Sequence, residues 1–191
     1  MHGFHLMRQI VLGGTQDYLI QRLTMRKIII IEGMDNTGKS TLVKKIQDYL
    51  PHHEVVVSPG PCAEHAQWCK DELSRTDNRI YDRFPIFSET VYGTIIRGFS
   101  DIHNFMQELI PMLAGVNPLI IYCDPGLEVI RGTFHEREQM EGVRENDQKC
   151  LLAYRNLMKS AERWLGKDNV IYYDFTKDPD AQRILDRLEE L

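Results

Sequence analysis

What the chain lacks narrows it first. No apolar run approaches the roughly 20 residues that span a bilayer, so a membrane protein is not expected. The opening "MHGFHLMRQIVLGG" has neither the basic start followed by an unbroken apolar stretch nor the small-residue cleavage site of a secretory signal, which points to the cytoplasm. The four cysteines, Cys62, Cys69, Cys123 and Cys150, form no C-x-x-C pair and have no His or Cys neighbours at zinc-ligand spacing. Buried free thiols in a reducing compartment are the expectation. His65, alone between Cys62 and Cys69, reads as structural. Basic residues do not gather into a run, and the formal net charge is -5, so no surface built on counterion release from DNA or RNA is expected. Internal repeats, low-complexity tracts and domain linkers are also missing.

What is present is an alternation of strand-like and helix-like segments. The 191 residues are 42% hydrophobic, enough for a core that needs no disulfide or structural metal. "KIIIIEG" is a continuous β-branched run, the mark of a strand buried on both faces of a parallel sheet. In "KSTLVKKIQDYL", Leu42, Val43, Ile46 and Leu50 recur at helical spacing. Further strands are expected in "EVVV" at 54 to 57, "RIYD" at 79 to 82, "PLIIYC" at 118 to 123 and "NVIYYD" at 169 to 174. The expected fold is therefore α/β: a doubly wound, five-stranded parallel sheet with helices on both faces. Residues 1 to 24 read as an N-terminal extension and 25 to 191 as one domain. In such sheets ligands bind beyond the carboxyl ends of the strands, which here read "EGMD", "SPGP", "DRFP", "CDPG" and "DFT".

Gly33 to Ser40 matches G-x-x-x-x-G-K-[ST], directly after one expected strand and directly before an expected helix. The pattern has a physical reading. Gly33 and Gly38 let the backbone wrap closely, the amides of Asp35, Asn36, Thr37, Gly38, Lys39, Ser40 and Thr41 can cradle phosphate, and the helix adds its positive end. Lys39 reaches the terminal phosphates, and the Ser40 hydroxyl suits Mg²⁺. ATP and Mg²⁺ are the expected cofactors.

Asp35 is out of place in a loop that gathers positive charge, because like charges close together in a partly dry site repel strongly. It needs a partner: a hydroxyl on a second substrate, a basic side chain or a metal-bound water. The acid therefore suggests an acceptor brought against the γ-phosphate. In "IYDRFPIFSETVYG", Asp82 and Arg83 end the third expected strand at the same crevice. Arg83 has the fork that holds a phosphate with two hydrogen bonds, and Asp82 can orient a water on Mg²⁺. Transfer of a phosphoryl group needs mainly such positioning and charge neutralisation.

These residues resemble the thymidylate kinase family of nucleoside monophosphate kinases, whose phosphate loop runs E-G-x-D-x-x-G-K-[ST]-T; this chain has "EGMDNTGKST". The likeness covers roughly residues 26 to 175 and is carried by the loop and the D-R pair. It implies that Asp35 meets the sugar hydroxyl of a deoxynucleoside monophosphate, dTMP or a related pyrimidine, while Arg83 grips its phosphate. It also implies Mg-ATP as donor and a homodimer. Ser88 and Tyr92 keep the family's Ser and Tyr four residues apart, and Tyr92 resembles the aromatic on the deoxyribose side. The lid implied by the resemblance falls around residues 132 to 147, where Arg137 in "HEREQMEG" is the best match for its catalytic arginine and Arg131 and Arg144 are rivals.

Several departures stand out. The family's R-E-P-G becomes "SPGP", one residue is inserted before Ser88, and the Gln that often touches the base is Gly93. Only about twenty residues separate "SPGP" from "DRFP", so the base-reading segment has been rebuilt. Trp68 within it is a candidate to stack on the base. Compact members of this kind look like those encoded by bacterial viruses. Three other functions stay open: a kinase for a nucleoside or for a modified base in DNA, a GTP switch or motor-like NTPase, and a nucleotide-binding module without catalysis. The acidic balance disfavours DNA, no N-K-x-D guanine signature is present, and Lys39, Ser40, Asp35 and Arg83 together disfavour a catalytically silent module.

Overall fold

The computed structural model describes residues 28–61, 64–135 and 141–190. Residues 1 to 24, Cys62 and Arg137 lie outside them. Five parallel strands, β1 (Ile28–Glu32), β2 (Glu54–Val57), β3 (Arg79–Asp82), β4 (Leu119–Cys123) and β5 (Val170–Tyr173), form one sheet in the order β2-β3-β1-β4-β5. Each coincides with an expected strand or falls a residue or two inside it. The helices are α1 (Lys39–Tyr49), α2 (His65–Ser74), α3 (Pro85–Tyr92), α4 (Met106–Gly115), α5 (Leu127–Gly132), α6 (Asp147–Leu165) and α7 (Gln182–Glu189). The expected α/β architecture, helices on both faces of a parallel sheet, is what the chain adopts.

The apolar runs place β1 and β4 in the middle. In a strand successive side chains alternate faces, so a strand covered on both sides must be apolar throughout. Ile28 and Ile30 join Tyr81, Ile120 and Tyr122 on one face, beneath α2, α3, α4 and α6. Ile29 and Ile31 join Ile80, Leu119, Ile121 and Cys123 on the other, beneath α1 and α7. All four β1 isoleucines are at most 2% exposed, and burying each contributes roughly 1.5 to 3 kcal/mol. β2 is an edge strand with β3 as its neighbour, and Val57 there is largely exposed. At the amino end of β3 the buried Arg79 binds Glu54, Glu72 and Asp77, fixing α2 and β2 to the sheet far from the strands' carboxyl ends.

Among the described residues no helix is long and apolar enough to cross a membrane. Cys69, Cys123 and Cys150 are buried and in no disulfide. Burial pushes the Cys123 thiol up to about 12, which keeps it protonated and inert.

Candidate active site

The loop after β1 takes its shape from residues in the left-handed region of backbone space: Gly33 (φ 142°), Asn36 (φ 62°) and Gly38 (φ 83°). Gly33 is required twice over, because a Cβ there would also lie 2.5 Å from the Cys123 carbonyl oxygen. α1 then starts at Lys39 with no side-chain cap and no acid in its first turn. Its first amides and positive end are thus left for an anion. Lys39 is buried and donates to the Met34 carbonyl, and Thr37 Oγ1 donates to the same oxygen at 2.9 Å. Burial and the nearby Arg83 charge push the Lys39 ammonium down to about 8. Ser40 is exposed at the helix start.

The second half of the site comes from the turn after β3. Arg83 has φ 72°, a strained value for a non-glycine residue. Two interactions hold it there. Its amide donates to the Ile31 carbonyl at 3.0 Å, extending the β1–β3 ladder, and the next amide, of Phe84, donates to Glu32 Oε1 at 2.6 Å. Glu32 Oε2 accepts from Gly33 N at 3.3 Å. The fully buried Glu32 carboxyl therefore staples the root of the phosphate loop to the turn that carries Arg83. Burial raises its pKa to about 7 against the opposing effect of the Phe84 amide, Arg83, Lys39 and the Gly33 amide. Reading the sequence alone missed Glu32; the only signal is an acid ending an otherwise apolar buried strand.

Asp35 has found its partner. Arg83 donates to its Oδ1 in a close ion pair, with the two side chains 29% and 22% exposed. The guanidinium also lies over the Tyr92 ring, 5.0 Å from its centroid, and the Tyr92 hydroxyl accepts from the Asp35 amide at 3.2 Å. Burial opposes the Arg83 charge, yet Tyr92, Tyr154, Asp35 and Glu32 around it hold its pKa well above the ordinary value. The acid of the phosphate loop is thus neutralised by the arginine of the adjacent strand, on an aromatic floor.

From this pair a cleft of about 160 Å³ runs outward, lined by Ser58, Pro59, Gly60, Pro61, His65, Arg83, Ser88, Glu89, Tyr92 and Arg97. The "SPGP" strand end is held there by the Ser58 amide, which donates to the Asp82 carbonyl at 3.1 Å. Ser88 is buried, with Oγ donating to the Phe84 carbonyl at 3.3 Å. Asp82 is half-buried, paired across the ladder with Ile31, and close enough to Lys39 to favour its charge. Trp68 sits elsewhere. Its ring packs on Tyr81 and Phe84 at centroid distances of 6.1 and 5.4 Å, as part of the core, and does not line this cleft. An aromatic at the inward-facing position of α2 is drawn into the core because that is where its area can be buried.

Residues 132 to 135 and 141 to 147 of the segment expected to form a lid lie within the described residues. Asn36 Nδ2 donates to the Thr133 carbonyl at 3.2 Å, tying the phosphate loop to its first residues. Arg131 is committed to Asp147 through two bonds of 2.6 and 3.1 Å, and Arg144 donates to the Phe134 carbonyl.

No family model and no curated protein matches this sequence. Among solved structures, the chain is similar to the YorR protein of Bacillus subtilis in complex with phosphorylated GDP, at 19% identity and a TM-score of 0.66, over 85% of this chain and 96% of that one. This chain has the fold of YorR. At that identity the likeness speaks for the fold, and the chemistry rests on the residues already described.

Proposed function

We propose that the protein transfers the γ-phosphoryl group of Mg-ATP to a deoxynucleoside monophosphate, dTMP or a related pyrimidine, giving ADP and the diphosphate. The observation that supports this reading most is the Asp35–Arg83 pair beside Lys39 at the mouth of a cleft. An arginine kept in a strained backbone, aimed at the phosphate loop, serves little purpose in a site for one nucleotide alone. It suits a second anion.

In this reading the loop amides and the start of α1 hold the donor polyphosphate, and Lys39 exchanges the Met34 carbonyl for it. Arg83 leaves Asp35 for the acceptor phosphate, and Asp35 turns to the sugar hydroxyl over Tyr92. Ser88 lies beside the acceptor. The residues fit Mg²⁺: the Ser40 hydroxyl, exposed in the first turn of α1, and the half-buried Asp82 carboxylate, at the end of β3, are hard oxygen groups. When bound, the ion neutralises charge on the phosphate oxygens. Water exclusion falls to residues 132 to 147, with Arg137 the arginine that closes over the transferring group. Residues 25 to 191 act as one kinase domain, in a homodimer that light scattering would test.

The neighbour's bound nucleotide supports a nucleotide site on this fold. A coupled ADP-release assay across all nucleosides and monophosphates tests the reading. Turnover should be greatest with a deoxynucleoside monophosphate. Preference for an unphosphorylated nucleoside, or equal hydrolysis with no acceptor, would overturn it.

A further inference from the structure

Three side chains that can ligate a metal meet between α2, α3 and the segment that leads into α4. His65 opens α2, Glu89 stands in α3, and Asp101 precedes α4. His65 Nδ1 lies 3.1 and 3.0 Å from the two carboxylate oxygens of Asp101 and 3.8 Å from Glu89 Oε2. One ligand atom from each of the three comes within 4.8 Å of the others. The side chains of His65, Glu89 and Asp101 are 3%, 7% and 24% exposed, so Asp101 is the member nearest solvent. No ligand spacing in the sequence announces the set, since Asp101 lies 36 residues beyond His65.

The second ring nitrogen is already in use. A carbonyl can only accept, so His65 Nε2 donates to that of Gly60 at 3.1 Å. A neutral ring then turns the lone pair of Nδ1 on two carboxylates that offer only lone pairs in return. Something positive belongs between them. A second proton on the ring would serve Asp101, but Glu89 at 3.8 Å is beyond its hydrogen-bond reach. A metal ion serves all three. Ligands held about 2.0 to 2.2 Å from a tetrahedral ion stand roughly 3.3 to 3.6 Å apart. The separations of 3.0 and 3.8 Å from His65 bracket that spacing.

The surroundings fix these side chains in place. α3 passes at Gly93 into a widened π-helical turn, Gly93–Arg97, which brings Arg97 back to Glu89. Arg97 Nη2 donates to both of its carboxylate oxygens. Gly93 leaves the room: a Cβ there would sit 2.3 Å from Glu89 Oε1 and 3.1 Å from Arg97 Nη2. A carboxylate oxygen that accepts from a guanidinium keeps a further lone pair for an ion. Arg97 thus orients Glu89 as the Gly60 carbonyl orients His65, the kind of outer contact that metal-ligating side chains make.

We propose that His65, Glu89 and Asp101 bind one divalent transition-metal ion. One imidazole with two carboxylates suits Zn²⁺, with water from the Asp101 side as a fourth ligand, whereas Mg²⁺ and Ca²⁺ favour oxygen throughout. The ion cross-links α2, α3 and the approach to α4, and through Gly60 it steadies the turn after β2. The site stands whatever the neighbouring cleft accepts.

The test takes the full chain, stripped with EDTA, and titrates it with ZnCl₂ or CoCl₂ as wild type, His65→Gln and Asp101→Asn. The second variant, at the more exposed position, keeps the test open should the first misfold. The wild type should take up one equivalent of zinc in calorimetry, and bound cobalt should show the strong visible absorption of a four-coordinate ion. Zinc at a hundred times its Kd should raise Tm by roughly 5 °C or more. Both variants should lose the equivalent, the cobalt band and the rise in Tm. No uptake by the folded wild type, or uptake and spectrum unchanged in folded variants, overturns the site and leaves His65 an imidazolium paired with Asp101.

Discussion

Glu32 should make the protein lose stability as pH rises from 5 to 8, against the usual trend for a chain with paired surface carboxylates. Its carboxyl is fully buried and its pKa is raised from 4.5 to about 7, chiefly by burial. The folded state therefore holds this proton more tightly than the unfolded chain does. The resulting stability is fully present below about 4.5 and is gone once the pH passes about 7. At 1.36 kcal/mol per unit, that shift corresponds to roughly 3 kcal/mol. The other shifted groups act outside this window. Lys39 is pushed down to about 8, so its penalty is constant below that pH and relaxes only above it. Asp147 is held below the usual carboxylate range by its hydrogen bond with Arg131, and Asp174 by Lys177 and Thr176 against the effect of burial; both cost stability only on stronger acidification. Urea unfolding of the ligand-free protein at several pH values between 5 and 8, in the wild type and Glu32→Gln, measures the effect. The wild-type free energy should fall across the window and the Gln curve should be nearly flat. Equal slopes in the two proteins would refute the account of Glu32 as a buried, protonatable staple.

The remaining predictions concern the site. Lys39→Ala should cut phosphoryl transfer by roughly two orders of magnitude or more in the coupled assay, as expected for a preorganised electrostatic group. Arg83→Ala should raise the acceptor's KM and lower kcat with ATP affinity nearly intact, since in the proposed reading its partner is the second substrate; a collapse of ATP binding in calorimetry would show it misassigned. Gly33→Ala should abolish ATP binding and lower Tm by roughly 5 °C, because its Cβ meets the Cys123 carbonyl at 2.5 Å in a backbone region closed to most residues. Tyr92→Phe keeps the ring under Arg83 but removes the acceptor for the Asp35 amide, and should raise the acceptor's KM a few-fold with little change in Tm.

The sheet was legible because its centre is written in one kind of residue. A run such as Ile28 to Ile31 has few ways to bury all its side chains other than between two helical layers. The phosphate loop was equally plain, since its glycines answer to a backbone that only glycine adopts easily. Arg83 shows the limit. Nothing in "DRFP" announces a left-handed arginine, because the strain is imposed by ladder and staple partners 52 residues apart in sequence. Trp68 shows another: helical spacing says that a residue faces something, and the packing of Tyr81 and Phe84 decides that it faces the core. The Glu89–Arg97 pair was hidden for a third reason, that a widened turn changes which residues stack, and a single Gly93 is its only trace in the sequence.

Ile31 pairs with Asp82 across the ladder, and its carbonyl accepts from the Arg83 amide. Arg83 and the loop that carries Lys39 spring from neighbouring strands at the middle of the sheet, so their separation is fixed by the spacing of the ladder itself and not by a pliable connection. A site built this way has little room to go slack before the sheet melts: on warming, loss of the proposed phosphoryl transfer and loss of the sheet's circular dichroism should fall on a single curve.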